Sequence, residues 1–260
     1  MEEALRMTSR KNPLLAHVRK VASSRKYRRA CGEYLADGIK MLEEALLWQA
    51  PITTVVAGDG VVLPPLPKEV RLVRVPGDMM TYLSPMDSPQ GVLFLCRIEA
   101  QPEMPSLQGN HYLVLDRVQD PGNIGAIWRS ADALGGDGLI LTGGCADPWN
   151  WKTVRATMGA CFRLPVYELE GESLLSLLEE AQLPLIATAL REDTRDVREI
   201  DLSKAAVVIG SEGHGVSQGL LKRSQCTLRI PMRARCESLN AAAAATVVLW
   251  EMVRGTCCLK

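Results

Sequence analysis

From residue 112 onward the chain alternates short, continuously apolar runs with segments of helical pattern. This alternation constrains the fold more than any other feature. Strands are expected at 112–115, 139–141, 185–189, 206–209 and 228–230, and helices at 124–134, 149–158, 173–181, 217–223 and 240–254. A strand with no polar face must be covered on both faces. Such strands, each followed by a helix, give an α/β domain built on a parallel sheet.

The preceding residues have a different pattern. Asn12-Pro13 suits a helix start, with Leu14, Leu15 and Val18 on one face. Gly32 and Gly38 flank a short segment, 33–37. Ile39, Leu42, Leu46 and Leu47 then recur at helical spacing, so 12–50 reads as mainly helical. Apolar runs at 53–57, 70–75 and 92–98 complete a small α/β unit, with Pro64, Pro65 and Pro67 breaking the chain between the first two. Residues 99–110 are rich in Pro, Gln, Ser and Gly and show no periodicity. The expected organisation is a domain over 1–100, a linker over 101–110 and a second domain over 111–260. Two domains suit 260 residues.

Composition excludes several classes. The eight cysteines form no CxxC pair and only three histidines accompany them, so no metal site is expected. Scattered thiols suit a reducing cytoplasm. The first residues carry no basic stretch followed by an apolar run, and the apolar run 241–250 is too short to span a bilayer, so neither a signal peptide nor a membrane span is expected. Net charge is zero, but residues 1–30 hold Arg6, Arg10, Lys11, Arg19, Lys20, Arg25, Lys26, Arg28 and Arg29 against only Glu2 and Glu3. That cluster is either a solvated arm or a grip on phosphate backbone.

Three strand ends carry polar groups that a core does not need. Asp120-Pro121-Gly122-Asn123 follows the first strand. A type II turn at Pro121-Gly122 and an Asn123 helix cap explain most of it, but not Arg129, two turns into a mostly apolar helix. Gly210-Ser211-Glu212-Gly213-His214-Gly215 follows the fourth strand. Its glycines let main-chain groups approach a ligand, yet the GxGxxG and Walker A spacings are absent. Glu212 would repel phosphate and suits a cation or a ribose hydroxyl. His214 reads as an exposed loop residue. Ile230-Pro231-Met232 ends the fifth strand, and Ser238-Leu239-Asn240 starts the last helix. One of Ser238 and Asn240 can cap that helix, which leaves the other free. In a parallel sheet, ligands bind outside the carboxyl ends of the strands, where all three segments lie.

Taken together and in order, 120–135, 208–216 and 230–251 resemble the three motifs of the SpoU/TrmH family of RNA ribose 2'-O-methyltransferases, in the SPOUT superfamily. The first unit is similar to the L30e-like substrate-binding domain that precedes the catalytic domain in many members; residues 10–13, 25–29 and 88–91 carry that looser likeness. The resemblance implies a C-terminal trefoil knot, which no periodicity reveals. It implies S-adenosylmethionine as cofactor, held at Thr188, Ala189, Gly210, Ile230, Met232 and Leu239. It implies a homodimer with the active site near the subunit interface. It assigns Arg129 to the ribose 2'-hydroxyl, with Asn123 and Asn240 organising Arg129 and the RNA, Glu212 holding the loop and the Arg network together, and Ser238 hydrogen-bonding near the nucleotide. A guanidinium normally keeps its proton, so orienting or stabilising an alkoxide is easier for Arg129 than acting as a base. RNA phosphates would be gripped by Arg10, Lys11, Arg25, Lys26, Arg28 and Arg29. The expected substrate is RNA, with 23S ribosomal RNA ahead of transfer RNA. The alternatives are a non-catalytic RNA-binding protein on the same fold and a nucleotide-dependent oxidoreductase.

Overall fold

The computed structural model describes residues 5–99, 106–191, 193–236 and 238–254. The chain forms two compact units, 1–100 with 147–162, and 101–146 with 163–260.

The first unit opens with β1 (Leu5–Arg6), α1 (Pro13–Ser23), α2 (Arg25–Cys31), β2 (Glu33–Asp37) and α3 (Ile39–Leu47), then β3 (Ile52–Gly58), β4 (Arg71–Val75), α4 (Gly77–Leu83) and β5 (Val92–Arg97). Asn12 caps α1 by accepting from the Leu14 amide, and Pro13 takes a first-turn position, where its missing N–H costs nothing. The segment 33–37, flanked by glycines in a helical stretch, is a strand. Tyr34, Leu35 and Ala36 are all buried, and β2 pairs antiparallel with β5. The sheet order is β1-β4-β3-β5-β2. Two largely aliphatic clusters hold the unit. One gathers Leu15, Val18, Val73 and Met79, and the other Leu42, Val55, Phe94 and Val154.

The second unit begins with β6 (His111–Asp116), α5 (Pro121–Leu134) and β7 (Gly138–Leu141). The chain then makes an excursion, 147–162, containing α6 (Trp151–Ala156). Sequence pattern places this helix in the second domain, but it packs in the first unit: Trp149 meets Tyr34 with ring centroids 4.6 Å apart. The second unit resumes with β8 (Val166–Glu168), α7 (Gly171–Glu180), β9 (Leu185–Thr188), β10 (Arg195–Asp196), β11 (Ala205–Gly210), α8 (Gln218–Arg223), β12 (Cys226–Arg229) and α9 (Ala241–Val253).

Its seven strands are all parallel, in the order β10-β12-β9-β11-β6-β7-β8. The chain starts at β6, winds outward to β8, and returns to the other side of β6 for the remaining strands. The reversal leaves a crevice beyond the carboxyl ends of the central strands. Residues 101–105 of the expected linker lie outside the described residues. The remainder is packed: Leu107 joins the core, and Asp137 accepts from the Asn110 and His111 amides at 2.7 and 2.8 Å. Among the described residues no helix is long and apolar enough to cross a membrane.

Candidate active site

The first motif starts a helix directly, without a type II turn. Pro121 occupies the first turn of α5, and the cap is Asp120, which accepts from the Asn123 amide at 2.8 Å. Asn123 is therefore not the cap expected from sequence. Its side chain is released to donate to Glu212 Oε1 at 2.8 Å. Arg129 stands on the exposed face of α5 and makes no hydrogen bond or ion pair among the described residues, while its neighbours Ile127 and Trp128 are fully buried.

The second motif ends β11 at Gly210. A Cβ there would collide with the backbone of Gly215 and Val216, so only glycine lets the loop fold back across the strand end. The Gly215 amide closes that loop on Ser211 O at 2.8 Å. Glu212 stands at its tip, and His214 is exposed.

The third motif resolves the choice between cap and site. Asn240 does both. Its Oδ1 accepts from the Ala242 and Ala243 amides at 2.9 and 3.3 Å, capping α9. Its Nδ2 donates to Asn123 Oδ1 at 3.0 Å and Glu212 Oε1 at 2.9 Å. The Ala241 amide reaches the same oxygen at 3.3 Å. One carboxylate oxygen thus ties the start of α5, the glycine loop and the start of α9 together.

Beside this network lies a cavity of ≈ 430 Å³ at the carboxyl ends of β9, β11 and β12. Thr188, Ala189, Gly210, Ile230, Met232 and Leu239 line it, as do Glu212 and Ser238. All six residues expected to hold a cofactor therefore meet at one cavity. Ile209, Leu228, Ile230 and Leu239 give it apolar walls, and the strand ends bring main-chain groups to its rim. The Thr188 hydroxyl is already engaged, donating to Val208 O at 2.9 Å. The size and mixed lining suit a nucleoside-sized ligand. Apolar walls fit a purine, main-chain groups can meet its polar edge, and a carboxylate fits ribose hydroxyls or a cationic end. These groups together fit S-adenosylmethionine.

Sequence reasoning missed three contributors. Arg229 and Leu190 also line the cavity. Asp116, buried at the end of β6, accepts from the Ser217 amide at 2.6 Å and the Thr142 hydroxyl at 2.9 Å, and so pins the return of the glycine loop. Its signal was an acid closing an otherwise apolar strand.

The expected basic grip needs one correction. Arg28 is buried, donating to Asp147 Oδ2 at 2.7 and 2.9 Å and to the Val21 and Ala22 carbonyls. Its position on the inner face of a seven-residue helix makes it a structural brace for the excursion 147–162. Arg10, Lys11, Arg25, Lys26 and Arg29 are exposed or half-buried. In the same unit His17, Cys31 and Glu33 bring potential ligand atoms within 4.8 Å of one another. Both ring nitrogens of His17 are hydrogen-bonded there, to Tyr27 and Glu33.

Residues 110–250 match the model of the SpoU rRNA methylase family, and residues 12–93 that of the MRM3-like substrate binding domain. The chain is 30% identical to the 23S rRNA (guanosine(2553)-2'-O)-methyltransferase RlmP of Bacillus subtilis, over 88% of this chain and 92% of that one. It is 31% identical to a 23S rRNA (uridine(2479)-2'-O)-methyltransferase of Streptomyces viridochromogenes, over 96% and 92%. The AdoMet-bound rRNA methyltransferase of Sinorhizobium meliloti superposes with a TM-score of 0.87 at 30% identity, covering 98% of this chain and 99% of that one. The SpoU methyltransferase AviRb of Streptomyces viridochromogenes, in complex with AdoMet, gives 0.83 at 28%, covering 94% and 98%. With three motifs meeting at one cavity and its neighbouring polar network, the chain belongs to the SpoU rRNA methylase family and is an S-adenosylmethionine-dependent RNA ribose 2'-O-methyltransferase.

Proposed function

We propose that the substrate is 23S ribosomal RNA, methylated on one ribose by a homodimer in the cytoplasm. The names of the relatives above support the RNA class. The single observation that carries the site is the shared oxygen of Glu212, which joins the three motifs beside the cavity.

When bound, S-adenosylmethionine supplies a methyl group already activated by positive sulfur. Thr188, Ala189, Gly210, Ile230, Met232 and Leu239 would hold it. The protein then has to position the 2'-hydroxyl and stabilise the charge that develops as its proton leaves. Arg129 supplies donors for that oxygen from the exposed face of α5. Asn123, Glu212 and Asn240 fix the start of α5 against the glycine loop and α9, and so set where Arg129 stands. Ser238, at the cavity wall, hydrogen-bonds the nucleotide. Arg10, Lys11, Arg25, Lys26 and Arg29 contact phosphates outside the site and carry no sequence reading of their own. The C-terminal trefoil knot belongs to the same reading. The dimer is supported by Val247 and Trp250, large apolar side chains left exposed on α9.

The test is Arg129→Ala in the full chain. Methyl transfer to ribosomal RNA falls by about 100-fold or more, the scale of losing one stabilising donor, while S-adenosylmethionine affinity by calorimetry is nearly unchanged. Turnover close to the parent's removes Arg129 from its role.

A further inference from the structure

The first unit holds a second cavity, ≈ 440 Å³, that methyl transfer does not use. Arg19, Lys20 and Ser23 line it from α1, Tyr82 from α4, and Trp151 from the first turn of α6. Among the described residues no carboxylate lines it. The Arg19 guanidinium carbon sits 4.1 Å from the centroid of the Tyr82 ring, and that of Arg10 sits 4.6 Å away. Neither arginine pairs with an acid among the described residues. Two cations are thus held against the Tyr82 ring, and Arg19 and Tyr82 both line the cavity.

Building on the RNA methyltransferase reading above, we propose that this cavity receives one unstacked nucleotide of the RNA substrate. The base lies against Trp151, and its flanking phosphates meet Arg19, Lys20 and Arg10. Aromatic faces with adjoining cations are the chemistry by which single-stranded RNA is bound, because every base has a π-face and every linkage a negative charge. A guanidinium already stacked on Tyr82 keeps its outer face and its N–H edge free to serve the same ligand. A free phosphate would not need the aromatic rings, and an apolar ligand would not need the cations. Trp151 reaches this place because the excursion 147–162 packs in the first unit, braced by the Arg28–Asp147 pair. A segment inside the methyltransferase half of the sequence therefore completes a recognition site in the other unit.

The test uses the full chain and a single-stranded RNA of about ten nucleotides containing 2-aminopurine, whose fluorescence falls on stacking. The parent quenches the probe. Trp151→Ala and the double variant Arg19→Ala/Lys20→Ala each bind it about tenfold more weakly, within the range for losing one stacked base. Trp151→Phe recovers most of the loss. With ribosomal RNA as substrate the loss falls on KM, and S-adenosylmethionine affinity is kept. Parental probe affinity and KM in both the alanine and the double variant overturn the proposal, as does competition by adenosine monophosphate as strong as by the oligonucleotide. Ribosomal RNA methylation and probe binding that these substitutions leave unchanged defeat the cavity alone. A parent that binds the probe through Trp151 but methylates no RNA defeats the enzymatic reading alone.

Discussion

Asn240 carries two tasks on one amide, and residue-scale substitutions separate them. Asn240→Ser keeps a capping oxygen and loses the link to Asn123 and Glu212, so thermal stability stays close to the parent's while methyl transfer falls. Asn240→Ala loses both, with the cap worth about 1 kcal/mol and a melting temperature lower by roughly 2–4 °C. Equal activity in the serine variant and the parent would reduce Asn240 to a cap. Arg28 is the counter-example. By type and position it belongs to the basic cluster, and nothing in the sequence marks Asp147, more than a hundred residues away, as its partner. Arg28→Ala leaves a buried carboxylate unpaired and costs about 3–5 kcal/mol in denaturant unfolding. Loss of RNA affinity with unchanged stability would return Arg28 to the phosphate grip.

At the scale of elements, the parallel strands of the second unit were legible because burial on both faces leaves a continuous apolar run. Edge strands were not: β10 has two residues and β8 three, too short for periodicity. The strand β2 was hidden because five residues between glycines in a helical region carry no pattern of their own, and pairing with β5 decides their state. The six cavity residues were legible only through motif likeness, since their residue types do not set them apart from ordinary strand ends and loops. Gly210→Ala tests this: a methyl inside the backbone of Gly215 and Val216 forces the loop open, and S-adenosylmethionine binding is lost. In β2, burial without a hydrogen-bond partner pushes the Asp37 carboxyl up to about 6, against the opposing charge of Arg155. The unfolded chain titrates near about 4. The folded state therefore holds the extra proton between these values, and the stability this contributes is full below about pH 4 and lost as pH rises through about 6. Asp37→Asn is then more stable than the parent at about pH 7.5 by roughly 1–2 kcal/mol, and that advantage shrinks at about pH 4.5. An advantage equal at both values contradicts the assignment.

Across the whole molecule, charge and apolar exposure divide the work. The net charge is zero, yet residues 1–30 hold nine basic side chains against Glu2 and Glu3. Replacing Arg10, Lys11 and Lys26 with alanine lowers RNA affinity and flattens its salt dependence by roughly 0.7–0.9 logarithmic units for each phosphate that is no longer neutralised. Trp250→Glu places a charge on the exposed apolar face of α9 and shifts sedimentation toward a monomer. The two-unit division was legible in composition, but the return of 147–162 to the first unit was not. That segment is a helix pattern like its neighbours, and only the packing of Trp149 and the Arg28–Asp147 pair give its destination. The proposed reaction is methyl transfer to a ribose oxygen of large-subunit ribosomal RNA. The most direct measurement is incubation of the full chain with methyl-labelled S-adenosylmethionine and unmodified 23S or transfer RNA, followed by nucleoside analysis. Label is expected in a 2'-O-methyl nucleoside at one position of 23S RNA. Label on a base, label only in transfer RNA, or no transfer rules out the proposed reaction.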